Sequence, residues 1–290
     1  MDKKQLWFTL WDAGRGTSIW IRTPNGKDHW IDLGRSATFS PIKCFSRLGL
    51  NRSIDFLIVS YPDWSHLRDL PSIKKNYMEI RSLARSLTMP GSGAYAKRLS
   101  RHWREYKNLA ENFSSSCFAD EADTHLSQNG GAIYELYGLP HGTRARNPQL
   151  SGTPVISKLN TSLVVMILYA GVLFVCPGDI EPLGWRELWY RNSASMKRLI
   201  DHSHARFLVA PRRGHKHAYC EEMMQAITPH AVFVNSVWGH STIHSGYRSD
   251  PLGVVYVESE YRRCFTPSRK GYVQVIVQPS GEYCVRQCHS

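Results

Sequence analysis

Apolar and polar residues alternate in two stretches of the chain that share one design. In Thr17-Ser-Ile-Trp-Ile-Arg-Thr23 the two classes interleave with the period of a strand. Pro24-Asn-Gly26 supplies a turn, His29-Trp-Ile31 returns, and Asp32-Leu-Gly34 closes the unit in an acidic corner. Ser162-Leu-Val-Val-Met-Ile-Leu-Tyr169 repeats the plan. It turns at Ala170-Gly171, returns as Val172-Leu-Phe-Val-Cys176 and ends at Pro177-Gly-Asp179. Two hairpins that finish in equivalent corners predict two similar half-domains facing each other.

The rest of the pattern supplies helices and further strands. Glu181 to Ile200 places Trp185, Leu188, Trp189 and Met196 close to helical spacing, so it predicts a helix covering the second sheet. Phe207 to Ala210 reads as a strand, Ala218 to Ile227 as a helix and Ala231 to Val234 as a strand, a βαβ rhythm. Strands return at Gly253 to Val257 and Tyr272 to Val277, and Pro279-Ser-Gly281 turns the latter into Tyr283 to Arg286. The sum predicts an α/β protein, a four-layer αββα sandwich forming a single domain over 1–290.

A segment of different character, about 67–128, predicts a basic helical insert punctuated by Met89-Pro-Gly-Ser-Gly93. Lys74, Lys75, Arg81, Arg85, Lys97, Arg98, Arg101, Arg104 and Lys107 alternate there with Tyr77, Tyr95, Trp103 and Tyr106. Such a surface can track phosphates and stack bases, or it can be a solvated helix face whose aromatics pack inward. The run Ser114 to Gln128 is polar and reads as a loop.

Candidate chemistry is concentrated in Ile54-Asp-Phe-Leu-Ile-Val-Ser-Tyr-Pro-Asp-Trp-Ser-His66. A short apolar strand, Phe56 to Val59, stops at Pro62 and delivers Asp63 and His66 into one tight loop. With 290 residues and 42% hydrophobic content the chain can bury a substantial core, and a formal charge of +12 predicts attraction to polyanions. No apolar run is long enough to span a membrane, and Met1-Asp-Lys-Lys leads into a strand instead of a leader core, which predicts a cytoplasmic protein. Seven cysteines without a C-x-x-C pair fit reduced thiols. Cys284 and Cys288 beside His289 lack the further spaced ligands of a zinc site.

The loop resembles the signature of metallo-β-lactamase-fold hydrolases, His-x-(His/Asp)-x-Asp-His, with Tyr61 and Ser65 where that pattern has a His and an Asp. The order of corners is similar to the hydrolase domain of DNA-uptake competence proteins, a phosphodiesterase-like branch of that fold. Phe8-Thr-Leu-Trp-Asp12-Ala-Gly14-Arg-Gly16 looks like the branch's Asp-Val-Gly-Gln-Gly, and Ile31-Asp32 like its Ile-Asp-Gly corner. Asn160-Thr-Ser162-Leu-Val-Val resembles its Asn-x-Ser-Leu-Val, and Cys176-Pro-Gly178-Asp179 its Gly-Asp metal corner. Val209-Ala-Pro211-Arg-Arg-Gly214 falls where the branch has Val-Pro-His-His-Gly, and His244 lies near its closing Gly-His-Pro.

In such hydrolases paired zinc or manganese ions activate a bridging water, each ion taking about three protein ligands. The resemblance leaves Asp63, His66, Asp179 and His244 as metal ligands, enough for one ion at most, with Asp63, His66 and Asp179 as catalytic candidates. Arg212 and Arg213 stand at ligand positions, where a guanidinium repels a divalent cation. They read either as a phosphate site whose charge replaces the metal's or as an ion-pair network with Asp63 or Asp179 that closes the pocket. His215 and His217 beside them are anion-binding candidates, or, in their His-x-His spacing, substitutes for the missing metal-ligating histidines. Asp12 and Asp32, in glycine corners, read as structural caps. Trp64 reads as a plug for an emptied metal cavity or a platform for a base. The resulting expectation is a degenerate metal site, with no cofactor or one divalent ion, that binds nucleic acid or a phosphorylated ligand with little or no hydrolysis. The alternatives are a single-metal phosphodiesterase or nuclease, and a scaffold subunit with a protein partner.

Overall fold

The structure of the protein is a computed structural model; it describes residues 4–49, 53–86, 101–113, 128–140, 144–147, 150, 158–235, 242–257, 260–267 and 269–288. Met89 to Gly93, Tyr95, Lys97, Arg98, Cys117, residues 114–127 and His289 lie outside the described residues. The first strands are β1 (Leu6–Trp11), β2 (Ser18–Arg22), β3 (Asp28–Leu33), β4 (Ser53–Ile54), β5 (Phe56–Val59), β6 (Glu79–Ile80) and β7 (Leu83–Arg85). They are followed by β8 (Ile133–Tyr137), β9 (Val164–Tyr169), β10 (Val172–Cys176), β11 (Ala205–Val209) and β12 (Ala231–Phe233). The last are β13 (Val254–Val257), β14 (Glu260–Arg262), β15 (Cys264–Phe265), β16 (Tyr272–Val277) and β17 (Tyr283–Cys288). The helices are α1 (Pro41–Arg47), α2 (Trp64–Leu67), α3 (Leu70–Lys75), α4 (Arg101–Asn112), α5 (Pro182–Asp201), α6 (Glu221–Ile227) and α7 (Gly246–Ser249).

The chain is mixed α/β. A seven-stranded sheet runs β17-β16-β1-β2-β3-β5-β7 and a six-stranded sheet β15-β12-β11-β10-β9-β8, with two small pairs, β13-β14 and β4-β6. Each large sheet contains an antiparallel hairpin, β2-β3 or β9-β10, whose second strand is joined by parallel neighbours, β5 and β7 or β11, β12 and β15. The two-hairpin design read from the sequence therefore reappears as one hairpin in each sheet.

Alternation decides which face each residue serves. Ile19 and Ile21 of β2, and Phe56 and Ile58 of β5, join Val165, Ile167, Phe174 and Phe207 of the other sheet in one buried cluster. Phe8 stacks on Phe174 at 4.3 Å between ring centroids, and Phe207 continues the stack at 5.5 Å. Trp20, Leu57 and Val59 point the other way, into a cluster with Phe45 of α1, Ile73 of α3 and Tyr106 of α4. On the six-stranded sheet, Leu173, Val175 and Leu208 pack with Trp185 and Leu188 of α5 and Met223 of α6. The run Phe56–Val59 is apolar throughout because both faces of β5 are covered.

The stretch 67–128 departs from a purely helical insert. Leu83-Ala-Arg85 forms β7, which completes the seven-stranded sheet beside β5. On α4, Tyr106 is fully buried with Trp103 packed against it, while Arg104 and Lys107 face water and Lys107 pairs with Glu111 at 3.8 Å. The described part of the segment thus has its aromatics turned inward, apart from the exposed Tyr77. Cys284 and Cys288 both lie on β17, four residues apart along an extended strand, too far for their sulfurs to share one ion. Among the described residues no helix is long and apolar enough to cross a membrane.

Candidate functional site

The residues singled out in the sequence lie mainly where strands of the two sheets end. Asp32 stands near the carboxyl end of β3, Ser60 just beyond β5, Asp179 beyond β10 and Arg212 beyond β11. In parallel arrangements the carboxyl ends of strands are where loops form ligand crevices. The loops are locked to one another through backbone. Thr17 N donates to Ser65 O at 3.3 Å and Gly34 N to Thr17 O at 2.7 Å. A Cβ on Gly34 would fall 2.6 Å from Thr17 N and 2.7 Å from Ser65 O, so only glycine permits this approach. Asn235, after β12, ties the opposite sheet in by donating to Trp11 O at 2.9 Å and Gly16 O at 3.0 Å.

At the centre is a buried triad, Asp32, His66 and Asp179. His66 is 1% exposed. Its Nδ1 lies 2.7 Å from Asp32 Oδ2, and its Nε2 lies 3.3 Å from Asp179 Oδ2, an ion-pair contact without hydrogen-bond alignment. Asp32 also accepts from Ser60 N at 2.8 Å and Ser60 Oγ at 2.6 Å. Burial opposes protonation of His66, but the flanking carboxylates of Asp32 and Asp179 overcome it and hold the imidazole pKa well above its ordinary value. Burial likewise works against the Asp179 carboxylate, and His66, Arg213 and Arg212 outweigh it and lower that pKa. Asp32, read from the sequence as a structural cap, does accept the Ser60 backbone amide and in addition positions His66. Asp12 does cap, accepting from Gly14 N at 3.1 Å and Lys270 N at 2.7 Å.

The other candidates are dispersed around the triad. Asp63 is the N-cap of α2, accepting from Trp64 N at 2.6 Å and Ser65 Oγ at 3.4 Å, a role its place before Trp-Ser-His permits. His244 stacks on Tyr219 at 3.8 Å and accepts from Gly246 N at 3.1 Å through Nδ1. The structure thus gives Asp63 and His244 other partners instead of bringing them to Asp179. Arg212 and Arg213 do lie beside Asp179, for Arg212 N donates to Gly178 O at 3.1 Å. Both adopt left-handed backbone, φ 47° and 61°. Arg212 pairs with Glu181 at 3.0 Å, and the Arg213 guanidinium donates to Arg15 O. The carboxylate within ion-pair distance of Arg212 is thus that of Glu181, in place of Asp63 or Asp179. His215 follows, 5.1 Å from the exposed His217 ring, its pKa lowered by partial burial and then by Arg212, His217, Lys216 and Arg213.

A catalytic divalent ion requires about three protein ligands around an open position. Here His66 Nε2 and Asp179 face one another, and Asp179 Oδ1 is buried without a hydrogen-bond partner. Two donors do not complete a site, and the positive charge of Arg212 and Arg213 that acts on Asp179 opposes a divalent cation there. Among the described residues no group of three or more His, Cys, Asp or Glu side chains is placed to hold a metal ion. The described residues do not fit a paired-ion centre. The two flanking carboxylates and the raised pKa favour the imidazolium form of His66 over a neutral general base.

The triad predicts a stability profile. Folding raises the His66 pKa, so its contribution is complete below the unfolded value of 6.5 and is lost as pH rises through the higher folded value. Folding lowers the Asp179 pKa, so that contribution is complete above 3.8 and is lost as pH falls through the lower folded value. Melting temperature against pH is expected to show a plateau between these limits. A His66→Ala variant should lack the alkaline limb due to this group; an unchanged alkaline limb would contradict the assignment.

No protein-family model matches the chain, and no curated protein matches it.

Proposed function

We propose that the protein is a metallo-β-lactamase-like αββα sandwich in which guanidinium and imidazolium groups stand in for metal charge. In this reading it binds nucleic acid or another phosphorylated anion with little or no metal-dependent hydrolysis. The observation that carries it is the Arg212–Arg213 pair, kept beside Asp179 in left-handed backbone. Such a conformation in residues other than glycine costs about 1–3 kcal/mol each and occurs preferentially at functional sites. Around the pair, loops converging on the triad present Arg15 and Lys216 to solvent and keep Arg35 half-exposed. Guanidinium forks suit phosphate oxygens, and the formal charge of +12 favours a polyanion over a neutral ligand.

Binding of a fluorescent oligonucleotide, followed by anisotropy over a salt series, tests this reading. Affinity should fall steeply with salt, and Arg212→Ala/Arg213→Ala should reduce the slope of log affinity against log salt by about 1–2. Salt-independent affinity in the parent protein would overturn it. A single-metal phosphodiesterase remains the competing reading because His66 Nε2 and Asp179 Oδ1 are buried without hydrogen-bond partners. Equilibrium dialysis with zinc and with manganese separates the two. Stoichiometric uptake abolished by Asp179→Asn, accompanied by metal-dependent cleavage, would establish the competitor.

A further inference from the structure

Trp64 belongs to the loop of the triad but takes no part in it. It opens α2 two positions before His66, and the helix sends the two side chains to different sides, so His66 is 1% exposed and Trp64 is 40% exposed. A plug filling an emptied cavity would be enclosed. Trp64 is instead presented to solvent from a firmly held base, since its backbone N–H is capped by Asp63. One turn later Arg68 places its Cζ 4.4 Å from the centroid of the indole. Among the described residues Arg68 has no carboxylate within ion-pair distance, and the titratable groups whose electrostatics it shares are Arg35 and, from α4, His102. Arg35 follows Gly34, whose backbone abuts Ser65 and Thr17, while Arg15 accepts through its carbonyl from Arg213. The indole therefore lies beside Arg68 and on the same set of interlocked loops as Arg35, which also pairs with Asp69 at 3.7 Å, and Arg15.

From this placement we propose that Trp64, backed by Arg68, is a stacking platform for an unpaired base, which makes the anion held at these loops single-stranded nucleic acid. The inference rests on the anion-binding reading above and specifies its ligand. An indole offers any base a flat apolar partner, and the guanidinium adds cation–π attraction. Bases inside a duplex are already stacked and paired, so reaching them requires flipping. A single strand presents them freely while its phosphates meet the arginines.

The test compares anisotropy binding of a labelled oligothymidylate, an abasic oligomer with the same phosphates, and a duplex of equal length, with inorganic polyphosphate as competitor. The abasic oligomer and the duplex should each bind the parent protein about tenfold more weakly than the oligothymidylate. Trp64→Ala should lose a similar factor on oligothymidylate alone, with affinity for polyphosphate and the salt slope unchanged, and Trp64→Phe should recover most of it. Equal affinity of the parent protein for thymidylate and abasic oligomers would overturn the platform whatever the fate of the variants. So would a Trp64→Ala protein that binds thymidylate normally, or one that loses polyphosphate to the same extent. In each case salt-sensitive polyphosphate binding would leave the anion site standing. If the parent protein bound none of these probes, both inferences would fall.

Discussion

A His66→Ala protein is expected to lose about 3–5 kcal/mol of unfolding free energy at neutral pH, the range for removing one partner from a buried ion pair. The imidazolium is what allows Asp32 and Asp179 to lie close together inside the protein. Without it, two buried carboxylates face each other with their mutual repulsion uncompensated, and each must protonate or find water. Asp179→Asn should cost less, because the imidazolium keeps its 2.7 Å partner, Asp32. Urea denaturation of the parent and the two variants gives the comparison. A loss below about 1 kcal/mol in His66→Ala, the worth of an exposed pair, would mean that the triad is not the internal support described here.

Phe174→Ala should be comparably severe, about 3–5 kcal/mol, for a different reason. The ring is fully buried and stacked between Phe8 of the seven-stranded sheet and Phe207 of its own. Truncation leaves a cavity at the junction of the sheets, where neither side can collapse without disturbing its own hydrogen-bond ladder. The parent and variant should each unfold in one denaturant transition, with the midpoint displaced in the variant. A variant with two separated transitions would show that the sheets fold independently and that the cluster between them is not a common core.

The parts of this architecture that were legible in the sequence are those where periodicity is strong. The hairpins β2-β3 and β9-β10 announce themselves by alternating apolar residues and glycine-bearing turns, and α5 by its apolar stripe. β7 is three residues long and lies among basic residues, too short to reveal a period, and it was absorbed into a helical segment. β8 does alternate, as Ile133-Tyr-Glu-Leu-Tyr137, and was available to a closer reading. At the site, Asp179 and His66 were identifiable because each ends an apolar run. Asp32 does hold its corner by accepting from Ser60 N, as an aspartate beside a glycine predicts; its second use, orienting a partner thirty-four residues away, has no local signal. Asp63, a candidate ligand beside His66, is the N-cap of α2, a use that its place immediately before a short helix announces. The left-handed pairing of Arg212 with Arg213 has no sequence signal, since arginine is not a residue that favours that region.

The pairing of Leu6 with Val277 has a bearing on how the protein is made. On the ribosome, β1 emerges early and its outer edge stays open until β16 is synthesised, nearly the whole chain later. Throughout that interval the half of the molecule carrying Asp32 and His66 is an incomplete sheet whose free backbone groups invite pairing with other chains. Closure of that sheet therefore waits on β16, and shielding the open edge until then is expected to raise the yield of folded protein.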